Sequence, residues 1–544
     1  MTHTVKVIMA QVDPLVGDIQ GNAKLIVTTA QQAKSEHDAD IVVFPEMTLT
    51  GYPPEDLLLR PGLYQQVNHA LTEICQSLEN SGVVVVMGYP MQDELGDRFN
   101  MATWIEDGVI QASYIKQYLP NYGVFDEQRY FSPGNQPCVV EYRGIRFGLL
   151  ICEDIWKFTP ADQAVKAGAD ILLTLNASPF SDEKHADRIK VIQRRVDEVK
   201  RPILYVNQVG GQDDLVFDGG SFAVCADGQV MVQAPEFKSG LVPVSIMKQA
   251  DHVVVLPGEK APLLGEQAML YEAIKMGIRD YVEKNGFKGV VLGLSGGIDS
   301  ALTLALAVDA IGAERVEAVM MPFHYTAGIS IEDAQQQAER MGVRYEQLPI
   351  ADIYQSFEKT LAERFHGLSE DVTEENLQAR IRGVLLMAIS NKSGSVVLAT
   401  SNKSEVAVGY STLYGDMVGG FSPLKDLLKT RVYQLAQYRN QVSPVIPERV
   451  MTRAPSAELR PDQKDQDSLP DYEVLDAIIQ AYVEEDKTPD EIIALGFDKK
   501  TVLDVINLIN HNEYKRRQAA IGVRLTKRAF GRDRRYPITN GYRE

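Results

Sequence analysis

Residues 290–308, VVLGLSGGIDSALTLALAV, leave the chain few ways to fold. A short apolar stretch suited to a buried strand enters a Ser-Gly-Gly turn, and an almost wholly apolar helix leaves it. A strand that passes straight into a helix cannot return as a hairpin. It belongs to a parallel sheet whose two faces are covered by helices. Glycines in such a turn let backbone amides approach a phosphate, and the helix N-terminus adds positive potential. The GK[ST] ending of a Walker loop is missing, which argues against the usual kinase or GTPase site. A plain glycine turn is the structural alternative.

The same reading extends to both sides. Segments 316–320, 345–349 and 396–400 read as further parallel strands, with helices after Ser300, Ser330, Ala351 and Thr373. This is a doubly wound α/β pattern, whose ligands sit at the carboxyl ends of strands. Upstream, 5–11, 41–44, 83–87, 147–151, 171–175 and 203–206 are short runs rich in Val, Ile and Leu. Asp107-Gly108 lies between alternating residues and marks a two-residue hairpin. Strands joined by hairpins as well as crossovers favour a two-sheet α/β sandwich. A Pro/Gly-bearing connector, VVVLPGEKAPLLGE at 253–266, separates the halves, giving expected domains 1–258 and 259–544. The polar stretch 454–471 reads as a mobile loop.

Composition removes several classes. Fifty-five basic against 74 acidic residues leave a net charge of −19, so neither a nucleic-acid binder nor an anionic-membrane binder is expected. The balance reverses locally, because 513–544 carries ten Lys or Arg against three acids, either a solvated face or an anion site. Four scattered cysteines form no CxxC pair, and the eight histidines form no HExxH. No signal-peptide pattern opens the sequence and no apolar run reaches the ~18 residues of a membrane span, so a cytoplasmic protein is expected.

In the first half three side chains stand just beyond buried strands: Glu46 after IVVFP, Lys116 after the hairpin, and Cys152 after GLLI. Together they suffice for amide hydrolysis through a thioester. A thiolate attacks the carbonyl, a carboxylate carries protons and an ammonium stabilises the oxyanion. Taken alone, a cysteine at a strand end is more often a small core residue.

The blocks FPEMTLTGYPPEDLL, KQYLPNYGVFDEQRYF and ICEDIW resemble, in order, the three signatures of the nitrilase (carbon–nitrogen hydrolase) superfamily. The resemblance implies an αββα nitrilase-like sandwich, with Glu46 as general base, Lys116 as electrostatic stabiliser and Cys152 as nucleophile. It matches Glu127 to the family's second glutamate, a catalytic residue that orients the substrate or shares protons, with a surface salt bridge as the structural alternative. Tyr122, Ser178 and Lys184 are similar to the glutamine contacts of its glutaminase members, although a Ser near a helix entry is commonly a cap. The loop at 293–300 resembles that of ATP pyrophosphatases, implying a Rossmann-like domain in which Gly293, Leu294, Ser295, Gly296, Gly297, Ile298, Asp299 and Ser300 bind ATP, with Ser295, Gly296, Gly297, Asp299 and Ser300 holding its pyrophosphate. Asp299 would lie close to Mg²⁺.

Downstream, EENLQARIRGVLLMAIS, the stretch at 398–436 that combines Thr400, Lys403, Glu405, Asp416 and Lys425, and the tail from NEYKRR closely resemble NAD synthetases. With the first half, the resemblance covers nearly the whole chain and is to glutamine-dependent members. It implies Thr400 at ATP, Asn376, Glu405 and Lys515 at deamido-NAD(+), and Glu405 as a second Mg²⁺ ligand. The partners implied are L-glutamine, ATP and deamido-NAD(+), with a homo-oligomer as the assembly. The implied reaction adenylates the nicotinate carboxylate and amidates it with ammonia from glutamine. An amidotransferase with another acceptor, and a non-catalytic nucleotide-binding scaffold, stay open at this point.

Overall fold

The computed structural model describes residues 4–249, 252–460 and 463–542. It divides into two units, Met1–Leu264 and Gly265–Glu544.

The first unit contains a seven-stranded and a six-stranded sheet. The first sheet runs in the order 252–255, 240–249, 4–11, 41–43, 84–92, 98–106, 109–115. Strand Thr4–Gln11 pairs parallel to Ile41–Val43 and antiparallel to Gly240–Gln249. The second sheet centres on Ile145–Ile151, Ile171–Asn176 and Ile203–Asn207, which are mutually parallel. Alternation explains the layering. Val5, Val7 and Met9 enter a core shared with Phe147, Leu149 and Leu173 of the second sheet. Ile8 and Ala10, pointing the other way, pack on Ile26, Ala30, Val67 and Ile74 of helices Ile19–His37 and Pro61–Leu78. Ala161 and Ala164, with Ile192 and Val196, come from helices Phe158–Lys166 and Lys184–Val199 against the second sheet. A strand buried on both faces reads as a continuous apolar run, as these do. The result is an αββα sandwich. The turn Asp107-Gly108 has positive φ at both residues (47° and 74°), as a primed hairpin requires.

The stretch VVV at 253–255 is not linker. Strand His252–Val255 pairs antiparallel with Gly240–Gln249 and closes the sheet edge, so its apolar residues have a partner.

The second unit is built on a four-stranded sheet of order 344–347, 316–320, 290–293, 396–398, parallel throughout. Val291, Val319 and Val397 share a core with Ile381 and Leu386 of helix Val372–Ser393. Helix Ile298–Ile311, also against the sheet, is buried almost all round, which accounts for its apolar sequence. Leu475, Ile479, Val502 and Ile506 form a separate helical core with Val406 and Val408. The described part of 454–471 is irregular but well anchored. The Gln378 side chain donates to Leu459 O, Ser330 donates to Glu458, and Tyr472 donates to Asp465. Among the described residues, no helix is long and apolar enough to cross a membrane.

Gly88 in strand Val84–Gln92 marks where Glu46 is seated, since a Cβ there would stand 2.4 Å from Met47 N and 3.0 Å from Glu46 Cα. Gly88→Ala is expected to destabilise the first unit by about 1–3 kcal/mol. Gly62→Ala, where nothing lies within 4 Å, is expected to be neutral or stabilising by up to about 1 kcal/mol. Both tryptophans, Trp104 and Trp156, lie in this unit, so urea unfolding followed by tryptophan fluorescence checks the pair.

Candidate active sites

Glu46, Lys116 and Glu127 meet in the first unit. Lys116 Nζ donates to Glu46 Oε1 at 2.7 Å and to both oxygens of Glu127 at 2.8 Å. Asn100 Nδ2 also donates to Glu46 Oε1 (2.7 Å), and the Ala177 amide donates to Oε2 (3.1 Å). Tyr52 donates to Glu127 Oε1 at 2.8 Å. Lys116 is 0%, Glu46 1% and Glu127 5% exposed, so the charges have little beyond one another to solvate them. Burial alone would draw the ammonium down, yet Glu127 and Glu46 outweigh it and hold Lys116 well above the usual lysine range. Burial, with Glu46 adding to it, lifts Glu127 to about 7 even though Lys116 opposes the shift.

Cys152 lies between strand Ile145–Ile151 and the short helix Glu153–Trp156, with φ 43° and ψ −96°. That backbone is strongly disfavoured for a residue with a side chain and forms a sharp elbow at the strand end. Burial and the nearby Glu46 charge push its thiol well above the usual range, with Lys116 pulling the other way. The direction of that shift favours the thiol over the thiolate.

The expected glutamine contacts fall on elements around this elbow. Tyr122, 55% exposed, donates to Glu153 Oε2 at 2.8 Å, beside Cys152 in sequence. Lys184 Nζ stands 4.1 Å over the Trp156 ring. Ser178 is not a helix cap, since its Oγ accepts from Arg188 Nε at 3.1 Å. Arg188 in turn is held by Asp218 at 2.7 Å.

In the second unit a cleft of about 280 Å³ lies over the Ser-Gly-Gly turn. Gly293, Leu294, Ser295, Gly297, Ile298, Asp299 and Ser300 line it, with Thr400, Glu405, Asp416, Arg382 and Lys429. Ser295 and Ser300 hydroxyls are 3.1 Å apart, and Ser295 Oγ accepts from the Gly297 amide at 3.2 Å. Gly296 does not line the cleft. Its φ is +79° and a Cβ would stand 2.3 Å from Ser330 O, so a glycine is needed there for close packing. Asp299 Oδ2 accepts from Lys429 Nζ at 2.5 Å and Oδ1 from Asn402 Nδ2 at 2.8 Å; Lys429 reaches Glu405 Oε1 at 3.2 Å. Asn376 and Lys515 meet on the 409–416 segment. Thr412 donates to Asn376 Oδ1 (2.7 Å), and Lys515 donates to the carbonyls of Gly409 and Ser411 (2.8 Å each).

Each unit matches a known family. The carbon–nitrogen hydrolase family profile matches residues 6–250 and the NAD synthase profile matches residues 270–519. The chain is 53% identical to the glutamine-dependent NAD(+) synthetase of Acinetobacter baylyi, across 99% of both chains. Against that of Thermotoga maritima it is 44% identical, again over 99% of each. The solved glutamine-dependent NAD+ synthetase from Acinetobacter baumannii in complex with adenosine diphosphate is similar at 50% identity and TM-score 0.81, with 98% of each chain covered. The chain belongs to the glutamine-dependent NAD(+) synthetase family.

In this family member the structure adds residues that the sequence reading passes over. Asn100 and Tyr52 complete the Lys116 cluster. Lys429, not Lys403 or Lys425, faces Asp299. Lys403 is fully buried between Asp426 and Glu484, and Lys425 donates to Ala520 O. The basic tail is largely spent on folding. Arg516 and Arg534 pair with Glu513, Arg524 with Asp533 and Arg528 with Asp486, whereas Lys515 donates to the 409–416 segment.

For a metal, Asp299 and Glu405 offer hard oxygen donors. Burial lifts Glu405 to about 8 although Lys429 lowers it, and the negative Asp299 and Asp465 add to the rise. A divalent cation such as Mg²⁺, which takes oxygen ligands, would favour the ionised form of Glu405. Elsewhere, His185, Asp218 and Glu236 are the close metal-capable trio among the described residues, but Asp218 is already committed to Arg188.

Removing Lys429 would leave two carboxylates without their cation. Lys429→Met is expected to cost about 3–5 kcal/mol at pH 8.5. The loss should shrink at pH 6, where a carboxyl can take up a proton instead of bearing an unpaired charge. Urea unfolding by far-UV circular dichroism at the two pH values checks this.

Proposed function

We propose that this chain makes NAD(+) by amidating deamido-NAD(+), drawing ammonia from glutamine at Cys152 and activating the acceptor with ATP at the 293–300 loop. We assign the glutaminase to residues 1–258 and the synthetase to 259–544. One observation carries the reading: a buried acid–ammonium–acid cluster beside a cysteine elbow occurs in the same chain as a pyrophosphatase-type loop opening on a cleft.

The first half-reaction follows from the occupancy of Glu46. Oε1 accepts from both Asn100 and Lys116, whereas Oε2 accepts only from the Ala177 amide. Oε2 therefore keeps a lone pair for the Cys152 proton. Sulfur attacks the glutamine side-chain carbonyl, and the Lys116 charge stabilises the oxyanion. Glu46 returns the proton to the leaving nitrogen, which departs as ammonia. Water then enters by the same base, splitting the thioester to glutamate and restoring the thiol. Tyr122, Ser178 and Lys184 are assigned to the substrate's charged α-amino-acid end, and Glu127 to holding Lys116 in place.

In the second half-reaction the nicotinate carboxylate attacks the α-phosphorus of ATP, releasing pyrophosphate and forming an acyl adenylate. Ammonia displaces AMP from this anhydride to give the amide. Ser295, Gly297 and Ser300 present the turn and helix N-terminus to the departing pyrophosphate, and Gly296 lets the turn pack closely. Thr400 is assigned to ATP, and Asn376, Glu405 and Lys515 to deamido-NAD(+). Asp299 and Glu405 would hold Mg²⁺, which would supply neutralisation of charge on the phosphates. The assembly we propose is a homo-oligomer working in the cytoplasm, which light scattering and cell fractionation test.

Supplying glutamine, ATP, Mg²⁺ and deamido-NAD(+) should yield NAD(+), AMP, pyrophosphate and glutamate in equal amounts. NAD(+) absent from that mixture, or a preference for XMP or aspartate as acceptor, would defeat the reading.

Cys152→Ala is expected to abolish glutamine hydrolysis and glutamine-driven synthesis while ammonium salt still supports NAD(+) formation. Raising pH toward the ammonium pKa should help it, since only neutral ammonia has a lone pair. Glutamine-driven synthesis surviving in the variant would remove Cys152 as nucleophile.

A second expectation concerns pH. A carboxyl lifted from 4.5 to about 7 keeps its proton below neutrality and ionises above it. If ionised Glu127 is what holds Lys116, kcat/KM for glutamine rises with pH along a one-proton limb near 7. Glu127→Gln should be slower and flat across that range; an unchanged limb would assign the titration elsewhere.

A further inference from the structure

Asp154 is 0% exposed and takes four hydrogen bonds. Its Oδ1 accepts from the amides of Gln117 (3.0 Å) and Tyr118 (2.8 Å). Its Oδ2 accepts from the Ile151 amide (3.1 Å) and the Tyr114 hydroxyl (2.9 Å). A carboxylate has about four lone-pair sites, so all are occupied and none is left to carry a proton in the reaction. The donors come from two places. Tyr114, Gln117 and Tyr118 flank Lys116 in the chain, and Ile151 immediately precedes Cys152. One buried carboxylate thus ties the backbone of the ammonium to the backbone of the nucleophile.

The elbow needs such a tie. Cys152, at φ 43° and ψ −96°, sits in a conformation that persists only where its surroundings over-determine it. The Cys152 amide donates to Leu175 O at 2.9 Å and fixes one side of the turn; Asp154 fixes the other. Burial lifts the Asp154 carboxyl to about 6, against the pull of its hydrogen bonds, so near neutrality it is chiefly the acceptor-only anion that four donors require.

We propose that Asp154 is a positioning residue for the glutaminase reaction, holding the Cys152 thiol in register with the Lys116 ammonium through four hydrogen bonds to both segments. It acts through Cys152 and Lys116 and touches no substrate. The inference rests on the assignment of Cys152 as nucleophile.

Asp154→Asn tests it, because an amide offers one acceptor oxygen where two are used and turns an NH₂ toward two donors. Tyr114→Phe removes a single bond of the four. In the full chain, kcat and KM for glutamine hydrolysis are measured with the pH dependence of Cys152 alkylation by iodoacetamide. Tryptophan emission from Trp104 and Trp156 reports the fold of this unit. The expected result for Asp154→Asn is a kcat lower by about 100-fold, the scale of a misplaced reacting group, with KM within about threefold. The alkylation midpoint should move, because the thiol's distance from Lys116 and Glu46 changes. Tyr114→Phe should lose about three- to tenfold in kcat. Folded variants with wild-type kcat, or with KM raised and kcat intact, would overturn the proposal. If Asp154→Asn loses native tryptophan emission, Tyr114→Phe decides, and an unchanged kcat there overturns it. Failure of the underlying assignment looks different, because Cys152→Ala would then still hydrolyse glutamine.

Discussion

The Lys116 ammonium is the interaction on which the first unit's site depends. An isolated ammonium in the interior would be several kcal/mol too costly and would shed its proton. Two carboxylates within 2.8 Å remove that option and in doing so are themselves fixed. Glu46 and Glu127 come from different loops, 81 residues apart in the chain (127 − 46). The cluster is therefore a tertiary restraint as well as an electrostatic one. Its carboxylates, Glu46 foremost, oppose ionisation of the nearby thiol. A cysteine beside a lysine is ordinarily expected to be a thiolate. Here burial and Glu46 reverse that expectation, which is why the proposed mechanism assigns a base to the thiol.

A comparable charge pattern organises the second unit in a more open setting. Lys429 bridges Asp299 and Glu405, at 2.5 and 3.2 Å, below a cleft. Both sites place one ammonium between two carboxylates. They differ in what lies beside the carboxylates: an enclosed sulfur in one, and a cleft able to take a metal–phosphate group in the other.

Much of this layout is legible in the sequence because strand ends are. Glu46, Cys152 and Ser295 each follow a short apolar run that the structure finds as a strand, and alternation within 4–11 gives both core faces. What escapes reading is whatever depends on which of several similar side chains turns inward. Lys403, Lys425 and Lys429 lie within one short stretch, and their sequence neighbours do not show that only Lys429 faces Asp299. The tail arginines read equally well as an anion site or a solvated face, yet Glu513 and Asp533 claim several of them. The stretch VVV at 253–255 looks like linker because its partner strand is identifiable only from tertiary pairing.

The same reasoning separates residues that react from residues that hold. Glu46 keeps one oxygen lightly used, with only the Ala177 amide on Oε2, and is equipped to exchange a proton. Asp154 has four donors on two oxygens and no remaining capacity. Both are buried acids near one thiol, so composition and burial cannot distinguish them. Counting occupied lone pairs does. By that count Glu127 equals Glu46, with three hydrogen bonds on two oxygens; it differs in that both its oxygens accept from Lys116, one of them also from Tyr52. That double contact suits Glu127 to the role proposed for it, holding the ammonium in place, and leaves the proposed proton transfer to Glu46.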